Sequence, residues 1–262
     1  MSDKTPVPRK SLGQHWLDDE ASLQDICDAA RLGADDDVLE IGPGPGTLTR
    51  LLVRKARRVI AVELDEKLAG ELPGRVGAPN LEVIAQDILK LDLTKLPVDY
   101  KVVANIPYYL TGKLLRVLSE TPNRPAAAVL LLQKEVAARV AAEPGNMSIL
   151  SVTCQFYWHA SLGRVIPARL FTPPPKVDSQ ILILERRAEP LFDDLDPAEY
   201  FRIVRTGFAQ PRKTLLNNLS AGFRISSHEA EAICESASID CRRRAQTLRL
   251  EEWHDLYRAV HT

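Results

Sequence analysis

The chain has 262 residues, 45% of them apolar and 26% charged, with 34 basic against 35 acidic side chains; this is the composition of an ordinary globular protein and excludes a disordered, collagen-like or disulfide-stapled one. The four cysteines, Cys27, Cys154, Cys234 and Cys241, form no CxxC pair and no metal-ligand spacing, so a reduced, cytoplasmic, metal-free protein is expected. The longest apolar run, Ala126 to Leu132, is far below the ~20 residues that span a bilayer, the first residues hold no apolar signal core, and a net charge of −1 gives no hint of a nucleic-acid partner.

From Val38 onward, short apolar runs alternate with longer amphipathic stretches. Strands are predicted over Val38 to Ile41, Val59 to Glu63, Leu81 to Ala85, Lys101 to Ala104 and Ala126 to Leu132, each nearly continuous in apolar residues, as a strand covered on both faces requires. Between and after them, Thr47 to Lys55, Asp65 to Leu72, Thr111 to Glu120 and Lys134 to Ala142 carry apolar residues at helical spacing. The series predicts an open, doubly wound, Rossmann-like α/β sheet. Ser148 to Ala160 and Val177 to Arg187 then read as two strands with no helix-length segment between them, an antiparallel hairpin on one sheet edge. The connection holds four prolines, Pro167 and Pro173 to Pro175, and reads as a stiff surface loop. Beyond the acidic link Ala188 to Pro197 the chain reads as short helices. We place the domain boundary there, with residues 1–190 forming the catalytic domain and 191–262 a small all-helical one. From Pro197 onward 10 basic and 8 acidic side chains give +2, against −3 for the rest, too small a difference to make the tail a basic domain.

The first strand runs into Glu40-Ile41-Gly42-Pro43-Gly44-Pro45-Gly46, a strand-to-helix turn whose glycines let a backbone approach a ligand closely. No Gly-Lys-Ser/Thr follows, which excludes a P-loop, and the G-x-G-x-G spacing fails the G-x-G-x-x-G dinucleotide fingerprint. Glu63 ends the second strand, where a carboxylate can accept both ribose hydroxyls, and Asp87 follows the third, where it can accept the amino group of an adenine. The ligand implied is a nucleoside without a tightly held pyrophosphate, which fits S-adenosylmethionine better than NAD. Taken singly, each acid reads equally well as a solvated strand end, and the glycines as a tight turn.

At the end of the fourth strand stands Asn105-Ile106-Pro107-Tyr108. An exocyclic adenine amine is a poor nucleophile because its lone pair is delocalised into the ring. Acceptors on its two N–H bonds, the Asn105 side-chain oxygen and a backbone carbonyl such as that of Ile106, would draw the nitrogen toward sp³ geometry. Pro107 stiffens the loop, and Tyr108 offers a face on which a base can stack.

The ordered series of Leu12 to Leu17, Glu40 to Gly46, Glu63, Asp87, Asn105 to Tyr108, Phe171 to Ser179, Phe208 to Leu215 and Arg244 to Leu248 resembles the rRNA adenine-N6 methyltransferase family over nearly the whole chain, its small-subunit branch most closely. The resemblance implies a class I S-adenosylmethionine-dependent fold. It implies transfer of four methyl groups to N6 of two adjacent adenosines in a hairpin loop near the 3′ end of small-subunit rRNA, with S-adenosylhomocysteine as product. Gln14, His15, Leu17, Glu40, Gly42, Gly44, Gly46, Glu63, Leu64, Asp87, Ile88 and Asn105 would then border the cofactor, and Tyr108 and Phe171 would sandwich the target adenine. Arg212, Lys213, Arg242, Arg243 and Arg244 would grip rRNA presented in a pre-assembled small subunit by a monomeric, non-membrane enzyme. Three positions depart from the family pattern: His15 stands where Asn is usual, Trp16 where Phe is usual, and Pro211 where an Arg commonly precedes Arg212-Lys213. A resistance-type methyltransferase of large-subunit rRNA shares the glycine turn and an Asn-Ile-Pro motif, but the two tail segments argue against it. A ribosome-binding assembly checkpoint remains a reading from a different class.

Overall fold

A computed structural model of the protein describes Pro6, Pro8, Arg9 and residues 12–261. In chain order its elements are β1 (Trp16–Leu17), α1 (Glu20–Ala29), β2 (Asp37–Ile41), α2 (Thr49–Lys55), β3 (Arg58–Glu63), α3 (Glu66–Val76), β4 (Leu81–Ala85), β5 (Lys101–Asn105), α4 (Thr111–Glu120), β6 (Ala127–Gln133) and α5 (Lys134–Val140). There follow α6 (Ile149–Tyr157), β7 (Trp158–Ile166), β8 (Phe171–Thr172), β9 (Ser179–Arg186), α7 (Pro197–Gly207), α8 (Leu215–Phe223), α9 (Ser227–Ser236) and α10 (Leu250–His261).

Seven strands form one mixed sheet in the order β4-β3-β2-β5-β6-β9-β7. The pairs β3/β4, β2/β3, β2/β5 and β5/β6 are parallel, and β6/β9 is antiparallel. Chain order runs outward from β2 to β4 on one side and from β5 on the other, so the switch point lies between β2 and β5, where such sheets bind ligands beyond the strand carboxyl ends. Aliphatic side chains from both ends of the unit, Ile26, Leu52, Val103 and Val129 among them, join one core cluster. Among the described residues no helix is long and apolar enough to cross a membrane.

The segment from Ser148 corrects the sequence reading. Ser148 caps α6 with a capping box closed by Ser151, and Val152 and Phe156, one helical turn apart, enter the core. Only from Trp158 does the chain become extended, and the edge strand is β7. A cap and an i, i+4 apolar pair thus override a run of strand-favouring side chains.

The chain divides into two compact units: the described residues up to Ala137 with His159–Arg186, and Ala138–Trp158 with the residues from Arg187 onward. This differs from a boundary at residue 190. Met147, Val152 and Phe156 share a cluster with Tyr200, Phe201 and Leu219 of the tail helices, so the segment containing α6 belongs with the helical unit. Local signals start those helices: Asp196 caps α7 ahead of Pro197, Thr214 caps α8, and Ser226 with Glu229 closes a capping box on α9. Gly207, in the last turn of α7, admits the Trp253 ring, and a Cβ there would lie 2.4 Å from it. Gly207→Ala is therefore expected to cost about 2 kcal/mol through overpacking, read as a lower urea midpoint with an unchanged slope.

Candidate active site

A cavity of about 320 Å³ opens at the carboxyl ends of the parallel strands, within the size range of small-ligand sites. The sheet order sets out its chemistry in a row. Asp87 stands beyond β4, Glu63 ends β3, the glycine turn follows β2, and Asn105 ends β5.

The turn adopts left-handed backbone at Gly42 (φ +67°) and Gly44 (φ +55°), a region that L side chains rarely occupy. Both line the cavity, and the Gly44 N–H donates to Glu63 Oε2 at 3.0 Å. The Asp65 N–H donates to the other oxygen at 2.9 Å. Burial raises the Glu63 pKa from its ordinary value, and these two N–H donors oppose the rise. Asp87 caps a single turn at Ile88–Lys90 by accepting the Leu89 N–H, and Ile88 and Leu64 complete this end of the wall. Gly46 has a different place. It does not line the cavity; at φ +88° its missing Cβ would stand 2.7 Å from Leu72 of α3. It serves helix packing, a correction to its assignment as a cofactor-binding residue.

Glu40 is 1% exposed and belongs to the cavity wall, and its Oε2 has no hydrogen-bond partner among the described residues. Burial pushes its carboxyl up to about 8, the Thr49 hydroxyl opposing and the Glu63 charge reinforcing. Three carboxyl groups, Glu40, Glu63 and Asp87, thus line one small cavity. Such a wall suits a ligand that combines hydroxyls, amines and positive charge.

The reacting end is latched by the chain before α1. Asn105 Nδ2 donates to the His15 carbonyl at 3.2 Å; because a carbonyl only accepts, this orients the amide and leaves Oδ1 as the free acceptor. His15 Nδ1 in turn bonds the Pro173 carbonyl at 2.7 Å, so Nδ1 carries the proton. The Tyr108 hydroxyl meets Ser179 Oγ at 2.8 Å, and its ring lies nearly parallel to that of His15, 24° apart with centroids 6.0 Å apart. Ile106 is buried in the cavity wall and Pro107 approaches Gly42. Gln14 and Leu17 also line the cavity, and Gln14 Oε1 accepts the Arg9 N–H while Arg9 pairs with Asp65 at 3.0 Å.

Phe171 is not part of this wall. It pairs with Leu17 across β1/β8 and is 3% exposed within the sheet core. A strand sends successive side chains to opposite faces, and Phe171 takes the core face. The expected sandwich of Tyr108 with Phe171 is therefore corrected: the ring beside Tyr108 is His15. Phe171→Ala should accordingly cost about 3 kcal/mol of stability. Tyr108→Ala, which removes a ring from the cavity wall, should instead cost far less stability than Phe171→Ala, which parallel melting measurements check.

In the helical unit Arg212, Lys213 and Arg244 are exposed. Arg242 is exposed and pairs with Asp240. Arg243 differs: it holds Glu252 of α10 through two hydrogen bonds and donates to the Thr247 carbonyl. It pins the start of that helix, a structural role beside the one expected of it. Residues that sequence reasoning missed are Trp16, which lines the cavity, and Ser179 and the Pro173 carbonyl, which hold the lining residues Tyr108 and His15 from behind. Trp16 had a visible signal in its departure from the family pattern; the other two act on partners distant in sequence.

The model of the ribosomal RNA adenine dimethylase family matches residues 7–261. The chain is 41% identical to the ribosomal RNA small subunit methyltransferase A of Dehalococcoides mccartyi over 260 residues, 98% of this chain and 89% of the relative. It is 40% identical to that of Alkaliphilus metalliredigens, covering 96% and 91%. Among solved structures, the 23S rRNA methyltransferase ErmE superposes with a TM-score of 0.76 at 31% identity, covering 94% of this chain and 100% of that one. A dimethyladenosine transferase from Plasmodium falciparum gives a TM-score of 0.78 at 28% identity, covering 92% and 96%. The matched span takes in the chain ahead of β1, the glycine turn, the Asn105 loop and the last helix alike, and by that span and these identities the chain belongs to the ribosomal RNA adenine dimethylase family.

Proposed function

We propose that the protein transfers methyl groups from S-adenosylmethionine to N6 of two adjacent adenosines near the 3′ end of small-subunit rRNA, dimethylating both during small-subunit assembly. The observation that carries this reading is the Asn105 amide, turned by the His15 carbonyl so that Oδ1 is left to accept an exocyclic N–H at the edge of an acidic cavity. S-adenosylmethionine supplies a methyl group already activated on a sulfonium, so the reaction rests on positioning and calls for no metal. The residues present fit that cofactor. Glu63 and Asp87 line the cavity as acceptors suited to ribose hydroxyls and an adenine amine, and Glu40 adds a third, buried carboxyl group to the same wall.

In this reading Asn105 Oδ1 and the Ile106 carbonyl hold the two N–H bonds of the amine and localise its lone pair. Tyr108, tied at its hydroxyl to Ser179, gives the flipped adenine a stacking face, worth ~1 to 3 kcal/mol. Arg212, Lys213, Arg242 and Arg244 of the helical unit contact rRNA phosphates. Substrate rRNA is presented by a pre-assembled small subunit to a monomeric enzyme in the cytoplasm, and S-adenosylhomocysteine leaves as product. Incubation with labelled cofactor and either undermethylated small subunits or naked large-subunit rRNA, followed by mass spectrometry, tests the reading. Four methyl groups on two neighbouring adenosines are expected; label in the large-subunit rRNA alone would overturn it.

A further inference from the structure

Among the described residues Tyr109 is the one tyrosine, phenylalanine or tryptophan left exposed, at 61%. It lies in the single turn Tyr108–Leu110, where successive side chains point about 120° apart; Tyr108 turns to Ser179 and Tyr109 to the rim of the cavity. One edge of its ring rests on Gly13, where a Cβ would stand 3.4 Å from Cδ1, and most of the residue faces solvent. A ring left in water gives the fold little, because apolar side chains stabilise by burial. Lys113 follows four positions later, in the first turn of α4, and both residues line the cavity. Among the described lining residues it is the one lysine or arginine. A cation there opposes the dipole of its own helix. Lys113 is exposed and has no ion pair among the described residues, whereas Arg116 of the same helix pairs with Glu120.

The placement of α4 decides which anion this ammonium meets. The helix packs against the turn Ile88–Lys90, and Ile88 and Leu89 line the cavity with it. In the proposed function that turn, with Asp87, borders the adenine of S-adenosylmethionine, and the adenosyl half of the cofactor carries no anion. The partner of Lys113 therefore comes with the substrate, since RNA carries a phosphate at every nucleotide. The proposed substrate is also a pair of adjacent adenosines. While one adenine occupies the cavity beside Tyr108, its neighbour in the strand is held just outside, at the rim where Tyr109 presents an open ring. An aromatic face beside a cation is the combination that binds a nucleic-acid strand without reading its sequence.

We propose that Tyr109 and Lys113 form a rim subsite for the nucleotide adjacent to the one being methylated, Tyr109 stacking on its base and Lys113 meeting a phosphate of the same strand. The inference rests on the rRNA reading and adds to it a substrate contact made by the catalytic unit. Stacking uses the face of the base and leaves N6 untouched, so the subsite accepts the neighbouring adenosine before and after its own methylation.

Equilibrium binding to undermethylated small subunits over a range of salt concentrations is the test. Lys113→Gln is expected to weaken binding about fivefold and to lower the slope of log K against log salt by about one, with Lys113→Arg restoring both. Tyr109→Ala is expected to weaken binding about tenfold at an unchanged slope, with Tyr109→Phe retaining most of the affinity. S-adenosylmethionine affinity, measured by calorimetry without RNA, should stay within about threefold in all of these variants. The proposal is overturned if Lys113→Gln keeps the wild-type slope, if Tyr109→Ala binds as tightly as the wild type, or if Lys113→Gln weakens cofactor binding beyond that limit, which would make the cofactor its partner. Photo-cross-linking of the wild type to the same subunits decides the matter without any variant: the peptide carrying Tyr109 should be joined to the loop that holds the paired adenosines, and cross-links confined to other peptides overturn the subsite. A wild type that neither binds nor methylates small subunits would instead remove the rRNA reading, and this inference with it.

Discussion

Asn105→Ala is expected to lower single-turnover methyl transfer by about 10²- to 10³-fold, the usual cost of removing one positioned polar group from a site that works by preorganised electrostatics. The effect should fall on the chemical step. Glu63, Asp87 and Glu40, which carry most of the polar wall, are untouched, so the affinity for S-adenosylmethionine should change only a few-fold. The alanine also releases the His15 carbonyl from its 3.2 Å bond, and Asn105→Asp separates the two roles. It keeps an acceptor toward the substrate but sets a carboxylate against a carbonyl, so it should recover only part of the rate. Rapid-quench measurements on undermethylated small subunits provide the check, and a turnover within threefold of wild type in the alanine variant would refute the role given to Oδ1.

The second large effect comes from Glu40. Its carboxyl, pushed up to about 8 by burial, holds its proton more tightly in the folded chain than in the unfolded one, where the ordinary value is 4.5. Stability contributed by the protonated form is full below about 4.5 and is lost as the pH rises toward 8, because the folded state must then either keep a buried charge or take up a proton. The loss across that window is on the order of 3 to 5 kcal/mol. Glu40→Gln, neutral at every pH, should flatten this part of the ligand-free stability profile measured by urea unfolding at pH 5, 7 and 8.5. A cationic ligand in the cavity favours the ionised carboxyl, so binding S-adenosylmethionine at pH 7 should release part of a proton. Binding enthalpies in buffers of different ionisation heat should differ for the wild type and converge for Glu40→Gln. Buffer-independent enthalpy in the wild type would remove the electrostatic role.

Much of the fold was legible because its signals are local. The five parallel strands lie within a residue or two of their predicted limits, since a strand covered on both faces must be apolar throughout. Thr111–Glu120 forms a helix over the predicted span. Ser148–Tyr157 was misread because its isoleucine, valine and aromatic side chains favour either conformation. The helical core that accepts Val152 and Phe156 lies more than forty residues further along the chain. The same limit moved the domain boundary.

Under the proposed function, the near-zero net charge is a poor guide to partners. Bulk charge averages a slightly acidic part with a slightly basic tail, and it does not register a base bound by stacking and hydrogen bonds.

The fold class and the polar groups at the strand ends are legible in the amino-acid sequence, because the glycine turn, Glu63, Asp87 and the Asn105 loop each stand at or just past the end of an apolar run; that they lie in one row follows from the strand order of the folded sheet. Tertiary structure decided which residues of the right type actually reach the cavity. Gly46 turned to packing against Leu72, Phe171 to the core and Arg243 to Glu252. His15 became the latch that orients Asn105 through a bond reaching 90 positions and is itself fixed by one reaching 158. Trp16 packed its indole edge beside Gly44, its N–H without a partner among the described residues. Each of these outcomes depends on which face of a two-residue strand or single turn meets a partner distant in sequence, and local periodicity carries no record of that choice.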